Sequence, residues 1–215
     1  MEVLNKKVLV VGLGLSGIST IKTLSSLRAE VYCYDDKEEI ELKNVFESLN
    51  GFNFKFIKNY KDYDFDFVVK SPGIKPFNEI IEYFCENNVP VYTDLELAYT
   101  LFSKRKIIAI TGTNGKTTTT SLVGEIFKTA NIKSKVVGNI GVGMLWEIFN
   151  SDEETVNIIE VSSFQLHNTK LFKPFIASIG NITPDHIDWH GSFENYIQDK
   201  FKVFKNMDKN GNLVL

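Results

Sequence analysis

Ile107-Ile108-Ala109-Ile110-Thr111-Gly112-Thr113-Asn114-Gly115-Lys116-Thr117-Thr118-Thr119-Thr120 is the stretch around which the chain is organised. Its four leading apolar residues read as a buried strand, the two glycines as a tight loop, and Lys116-Thr117 as the opening of a helix. Such a loop turns backbone N–H groups and the positive end of a helix dipole toward an anion. Lys116 adds a point charge, and Thr117 brings a hydroxyl within reach of Mg²⁺. Gly112, Thr113, Asn114, Gly115, Lys116, Thr117 and Thr118 are therefore the expected triphosphate cradle. The pattern G-x-x-x-x-G-K-[ST] is not met in full, because Ile110 stands where its first glycine belongs.

Toward the N-terminus, Lys7-Val8-Leu9-Val10-Val11 runs into Gly12-Leu13-Gly14-Leu15-Ser16-Gly17. Ile18, Ile21, Leu24 and Leu27 then recur at helical spacing, and Val31-Tyr32-Cys33-Tyr34 reads as a second strand ending in Asp35-Asp36. G-x-G-x-x-G lets a backbone approach a diphosphate closely, and the acidic pair falls where such folds meet a ribose. NAD and a nucleotide sugar carry the same diphosphate, so both ligands fit, and a tight turn for packing fits as well. Further on, a helix is expected near 38–49, strand in 52–57 and a strand at 65–69 that closes on Lys70-Ser71-Pro72-Gly73. A helix over 77–86, a short strand at 89–92 and a Thr93-capped helix to about Phe102 follow. One α/β unit ends and another begins within 92–106, giving expected domains 1–93 and 94–215.

Beyond the loop helix, three strands each close on polar residues. Lys135-Val136-Val137 leads to Gly138-Asn139-Ile140-Gly141, and 155–161 leads to Glu160-Val161-Ser162-Ser163-Phe164-Gln165-Leu166. The third, 175–179, leads to Asn181-Ile182-Thr183-Pro184-Asp185-His186. Glu160, at a strand end beside a phosphate loop, is well placed to hold the nucleotide's Mg²⁺. His186 stands out because aspartates flank it after a strand end. His167 and His190 gain no role from spacing, and residues 185–190 match no closed zinc motif. Ser192 caps a helix whose Phe193, Tyr196, Ile197, Lys200, Phe201 and Phe204 share one face, so Lys200 reads by itself as a snorkelling lysine.

The 215 residues are 43% hydrophobic and 24% charged, enough to bury a core. A net charge of −3 gives no electrostatic footprint for nucleic acid. Two cysteines, Cys33 and Cys85, form neither a disulfide framework nor a metal cluster, which suits a reducing compartment. The sequence shows no signal-peptide pattern and no apolar run of membrane-spanning length, so a cytoplasmic protein without membrane partners is expected.

Taken in order, these motifs resemble those of the Mur ligase family, the ATP-dependent amide-forming enzymes of peptidoglycan precursor synthesis. Residues 111–118 resemble the family's own phosphate loop, and 160–166 with 181–186 its central-domain signature. Gly12-Leu-Gly-Leu-Ser-Gly17, Ser71-Pro-Gly73, Thr93-Asp-Leu-Glu-Leu97 and Gly138-Asn-Ile-Gly141 are most similar to its D-glutamate-adding branch. The resemblance implies a Rossmann-like parallel-sheet domain that binds UDP-N-acetylmuramoyl-L-alanine, followed by part of a P-loop NTPase-like domain that binds ATP. Gly14, Leu15 and Ser16 would meet the diphosphate, and Asp35, Asp36 and Lys37 the uridine. Ser71, Gly73, Asn139, Ser162, Ser163 and Gln165 would line the path of the sugar and its acyl arm. Lys116, His186 and Lys200 would be catalytic. Two Mg²⁺ ions are implied, one at Thr117 and Glu160, the other at His186 and at Lys200, whose family counterpart is carbamylated. The implied reaction activates the alanyl carboxylate as an acyl phosphate and couples it to D-glutamate.

The chain stops at Asn212-Leu213-Val214-Leu215, within an apparent strand of the central domain. The expectation is a monomeric fragment without the family's C-terminal domain or most of its D-glutamate site, unable to form the amide alone. Three other readings remain: another Mur ligase such as the L-alanine-adding one, a non-catalytic nucleotide-binding module, and an NAD-dependent oxidoreductase. The L-alanine-adding enzymes usually carry histidine at the place of Asn114, and the oxidoreductase leaves 111–118 and 181–186 without a role.

Overall fold

The computed structural model describes residues 1–138 and 143–215. Its first half runs β1 (Lys7–Val11), α1 (Leu15–Ser26), β2 (Glu30–Tyr34), α2 (Lys43–Ser48), β3 (Lys55–Phe56), β4 (Phe67–Lys70), α3 (Glu79–Glu86) and β5 (Val91–Tyr92). The linker helix α4 (Asp94–Leu101) leads into β6 (Lys106–Thr111), α5 (Lys116–Thr129), β7 (Ser134–Gly138), α6 (Met144–Phe149) and β8 (Val156–Glu160). Then come α7 (Ser163–His167), β9 (Ile176–Ile179), α8 (Ile187–His190), α9 (Phe193–Phe201) and β10 (Asn212–Val214).

Among the described residues the strands form two five-stranded parallel sheets, ordered β3-β2-β1-β4-β5 and β10-β9-β6-β8-β7. β1 and β6 are the middle strands, buried on both faces, which is why each reads as an unbroken apolar run. After β1 the chain moves to β2 on one side and later to β4 on the other. After β6 it moves to the β8 side and later to β9. Each glycine loop therefore opens where strand order reverses, the place at which a parallel sheet leaves a crevice at its carboxyl edge.

The two sheets share one apolar core. It runs from Val8 and Val10 of β1 through Ile21 and Leu24 of α1, Leu95 and Leu97 of α4, and Leu145 and Ile148 of α6 to Ala109 of β6. Ser19 Oγ of α1 accepts a hydrogen bond from Trp146 N of α6 at 2.8 Å, and the Trp146 ring meets Phe52 edge-on. α4 is pinned on both sides. Thr93 caps its N-terminus and donates to Gln165 O at 3.1 Å, while the buried Glu96 carboxylate accepts from Leu171 N and Phe172 N at 2.7 and 3.0 Å.

Several element bounds differ from the sequence expectation. The helix expected near 38–49 is only Lys43–Ser48, because 38–42 folds into turns in which Glu41 N and Leu42 N bond to Glu38 O and Glu39 O. The strand expected in 52–57 shrinks to Lys55–Phe56, the stretch that pairs with β2. α9 ends at Phe201 rather than running to Phe204, and its buried face includes Asp199 while Phe201 is 37% exposed. Among the described residues no helix is long and apolar enough to cross a membrane.

Candidate active site

The phosphate loop is held from the neighbouring strand β9 by Asn181. Asn181 Oδ1 accepts from Asn114 N at 2.9 Å, its Nδ2 donates to Asn114 O at 2.8 Å, and its backbone O accepts from Thr113 N at 2.9 Å. Thr113 is fixed further by Thr183 and by the Tyr196 hydroxyl, 3.0 Å from its Oγ1. Gly115 caps α5 with φ of +78°, a left-handed conformation that glycine adopts without steric cost. Lys116 Nζ folds back to Thr113 O at 2.8 Å, and Thr118 stands exposed in the first turn of α5.

Thr117 Oγ1 donates to Glu160 Oε2 at 2.7 Å, so the first helical turn and the end of β8 bring a hydroxyl and a buried carboxylate together. Lys200 reaches the loop from the other side. It is 1% exposed, its Nζ donates to Gly112 O at 2.7 Å, and it lies 4.6 Å from the centre of the Tyr196 ring. Burial, with repulsion from Lys116 added, pushes the Lys200 ammonium down to about 8. The snorkelling expected from the helical wheel is thus replaced by a buried amine. His186 sits in a left-handed conformation at the start of α8, half exposed, beside Asp185 and against the Phe164 ring.

A cleft of about 350 Å³ opens between the two sheets at their carboxyl edges. Gly14, Leu15, Ser16, Ser71 and Gly73 line it from the first sheet, and Ser162, Phe164 and Gln165 from the second. Its floor is a polar relay centred on buried Asp94. The Asp94 carboxylate accepts from Ser16 Oγ at 2.7 Å and from Gln165 Nε2 at 3.2 Å. Gln165 Oε1 in turn accepts from Ser162 N at 3.1 Å, completing a reciprocal capping box on α7. Burial raises the Asp94 pKa, and the bonds from Ser16 and Gln165 oppose it.

Other expected contacts stand elsewhere. Asp35 accepts from Leu13 N at 2.7 Å and Lys37 N at 3.0 Å, so its carboxylate braces the glycine turn from the end of β2. Asp36 meets the Tyr34 hydroxyl at 3.2 Å, and Lys37 is exposed beside it. Ser163 is 3% exposed and bonds to His190 Nε2 at 3.0 Å; it does not line the cleft, although its neighbour Ser162 does. Asn139 lies outside the described residues.

Sequence reasoning assigned no role to Asn181, Tyr196, Asp94 or Lys70. Lys70 is fully buried, donates to Ile74 O at 2.8 Å, and is pushed down to about 8 by burial against the opposing pull of Asp94. Asn181 could have been found from its place at the end of a strand flanking β6, had the strand order been known.

Two family models cover most of the chain: "Mur ligase MurD-like, N-terminal domain" over residues 6–93 and "Mur ligase middle domain" over residues 110–215. The chain belongs to the Mur ligase family. It is 45% identical to the UDP-N-acetylmuramoylalanine–D-glutamate ligase of Thermoanaerobacter sp. (strain X514), over all of this chain and 48% of that one. The chain thus spans about half the length of the curated relatives it matches. Among solved Mur ligases, its fold is similar to that of UDP-N-acetylmuramate:L-alanyl-gamma-D-glutamyl-meso-diaminopimelate ligase from Neisseria meningitides. That match has a TM-score of 0.60 at 17% identity, covering 97% of this chain and 70% of that one. Similarity to UDP-N-acetylmuramate-alanine ligase MurC from Thermotoga maritima has a TM-score of 0.57 at 24% identity, with coverages of 94% and 48%.

Proposed function

We propose that this chain carries the UDP-substrate and ATP sites of a ligase that adds D-glutamate to UDP-N-acetylmuramoyl-L-alanine through an acyl phosphate. The observation that carries the reading is the cleft: residues of the glycine turn and of the Ser162–Gln165 capping box share one cavity, and Glu160, just before that box, bonds to Thr117 of the phosphate loop's helix. We place the diphosphate at Gly14, Leu15 and Ser16, the sugar and acyl arm along Ser71, Gly73, Ser162 and Gln165, and the domain boundary at 93/94. Asp35 acts by holding the turn, with Asp36 and Lys37 left exposed toward a uridine.

ATP phosphates belong on residues 112–118, with Lys116 released from Thr113 O to meet them. Mur ligases are ATP-dependent enzymes that use Mg²⁺. The adjacent Thr117 hydroxyl and Glu160 carboxylate are the hard oxygen donors this ion takes. Held by Thr117 and Glu160, the ion would supply the positive charge that lets an anionic carboxylate approach a triphosphate. An ammonium has no lone pair to ligate a metal, so Lys200 fits a second Mg²⁺, shared with His186, only after carbamylation. Its depressed pKa supplies the neutral amine that attacks CO₂, giving a carbamate and releasing one proton. The alanyl carboxylate then attacks the γ-phosphate, ADP leaves, and the D-glutamate amine displaces phosphate from the acyl phosphate through a tetrahedral intermediate.

The test is equilibrium binding of UDP, NAD⁺ and Mg·ATP to this chain. Saturable binding of UDP and Mg·ATP at separate sites is expected. Preference for NAD⁺ over UDP would overturn the assignment of the first domain.

A further inference from the structure

The mechanism above leaves one cluster of titratable side chains unused. His167 ends α7, His190 ends α8, and Asp199 lies on α9 next to Lys200. Asp199 Oδ2 stands 2.7 Å from His167 Nδ1 and 2.8 Å from His190 Nδ1, and the three atoms lie within 4.8 Å of one another. We propose that His167, His190 and Asp199 form a Zn²⁺ site, apart from the phosphate loop, that clamps α7, α8 and α9 together.

The donor set decides the ion. Two imidazole nitrogens and one carboxylate oxygen are ligands for Zn²⁺, whereas Mg²⁺ takes oxygen and keeps its water. A tetrahedral ion with bonds of about 2.0–2.1 Å holds its ligands roughly 3.3 Å apart. The carboxylate must therefore back away from each ring by about 0.5 Å, a side-chain adjustment within the space the three atoms already span. The His190 and Asp199 side chains are 0% and 6% exposed, so the ion would be shielded there. His167, at 31%, leaves an entry and a place for a water as fourth ligand.

The outer contacts suit this role. Lys202 Nζ donates to Asp199 Oδ1 at 2.8 Å, which keeps the carboxylate anionic and leaves Oδ2 to ligate. With the ion on Nδ1, each ring carries its proton on Nε2, where His190 meets Ser163 Oγ at 3.0 Å. Ser163 accepts that proton as readily as it now donates its own, so the neutral pair changes tautomer without losing a proton. α9 also carries Tyr196 and Lys200, which bond to Thr113 and Gly112, so a clamp on α9 stiffens the phosphate loop from behind.

The test is metal binding to this chain after chelator treatment, by calorimetry with Zn²⁺ and by visible absorption with Co²⁺, both with excess Mg²⁺ present. One equivalent of each ion is expected, with a tetrahedral Co²⁺ spectrum and a raised thermal midpoint. Ser163→Ala should weaken binding about 10-fold, as loss of an outer-shell partner does. His167→Gln, at the exposed edge and least disruptive to folding, should weaken it by ~100-fold or more, and Lys116→Ala should leave it unchanged. Absence of saturable binding would reduce the cluster to a hydrogen-bonded one and overturn the proposal, as would binding that His167→Gln retains in a folded chain. Neither result bears on the UDP and ATP sites.

Discussion

The molecule contains two strand–glycine loop–helix units, and they are built differently, as the two phosphate-binding tasks proposed for them would require. The loop after β1 works by close approach: a methyl carbon on Gly17 would stand 2.0 Å from Gly12 O, and Gly12 itself has φ of +88°. No cation stands in its turn, whose first helical residues are Leu15 and Ser16. The loop after β6 has no such backbone clash, a methyl carbon on Gly112 standing 3.4 Å from Asn181 N and O. A methyl carbon on Gly115 would meet nothing within 4 Å, and the loop is shaped instead by Asn181 and flanked by Lys116 and Lys200. A diphosphate that is only held needs backbone amides at short range. A phosphoryl group that is transferred gathers charge in the transition state and needs cations.

Substitutions can break this contrast. The largest effect is expected from Gly17→Ala, where the clash is with backbone: a loss of ~3 kcal/mol or more by urea unfolding, together with UDP binding. Mg·ATP binding to any folded fraction should persist. Lys116→Ala should do the reverse, weakening Mg·ATP binding by about 10- to 100-fold through loss of a charge-assisted contact, with stability and UDP binding kept. Gly115→Ala should cost only about 1–2 kcal/mol, the strain of a left-handed non-glycine residue. If Gly17→Ala proved the milder of the two glycine changes, the assignment of close packing to the first loop would fail.

A pH-dependent effect concerns buried Lys70, with a pKa of about 8 against 10.5 for a free lysine. Between these values the unfolded chain binds a proton that the folded chain lacks, so stability rises with pH. Below about 8 the cost of burying the ammonium is fully present. Lys70→Met should therefore flatten part of the rise in unfolding free energy between pH 8 and pH 10.5. Lys200, also depressed to about 8, adds to the rise, whereas the buried Cys33 thiol, raised to about 12, opposes it above pH 9. An unchanged slope would show that the Lys70 ammonium is solvated.

Legibility differed along the chain for physical reasons. The phosphate loop, both middle strands and the Thr93 and Ser192 caps were readable because each depends on neighbours within a few residues. Lys200 was not, since a helical wheel shows which face a lysine occupies but not whether that face meets water. Ser163 was grouped with Ser162 and Gln165 on motif alone, yet successive residues at a helix start point in different directions. It turns inward to His190 instead.

The histidines show where local reading ends. Their spacing matched no metal motif, and that remains true, because the ligands proposed for Zn²⁺ come from three separate helices. Sequence alone settled that two parallel α/β units follow one another, each with a glycine loop after a buried strand, since periodicity and turn chemistry are short-range properties. Tertiary structure alone decided that Asp94 joins Ser16 to Gln165, that Asn181 braces the phosphate loop, and that Asp199 gathers two histidines. Those contacts depend on the order of strands in a sheet and the packing of helices upon it, which residues distant along the chain specify only together.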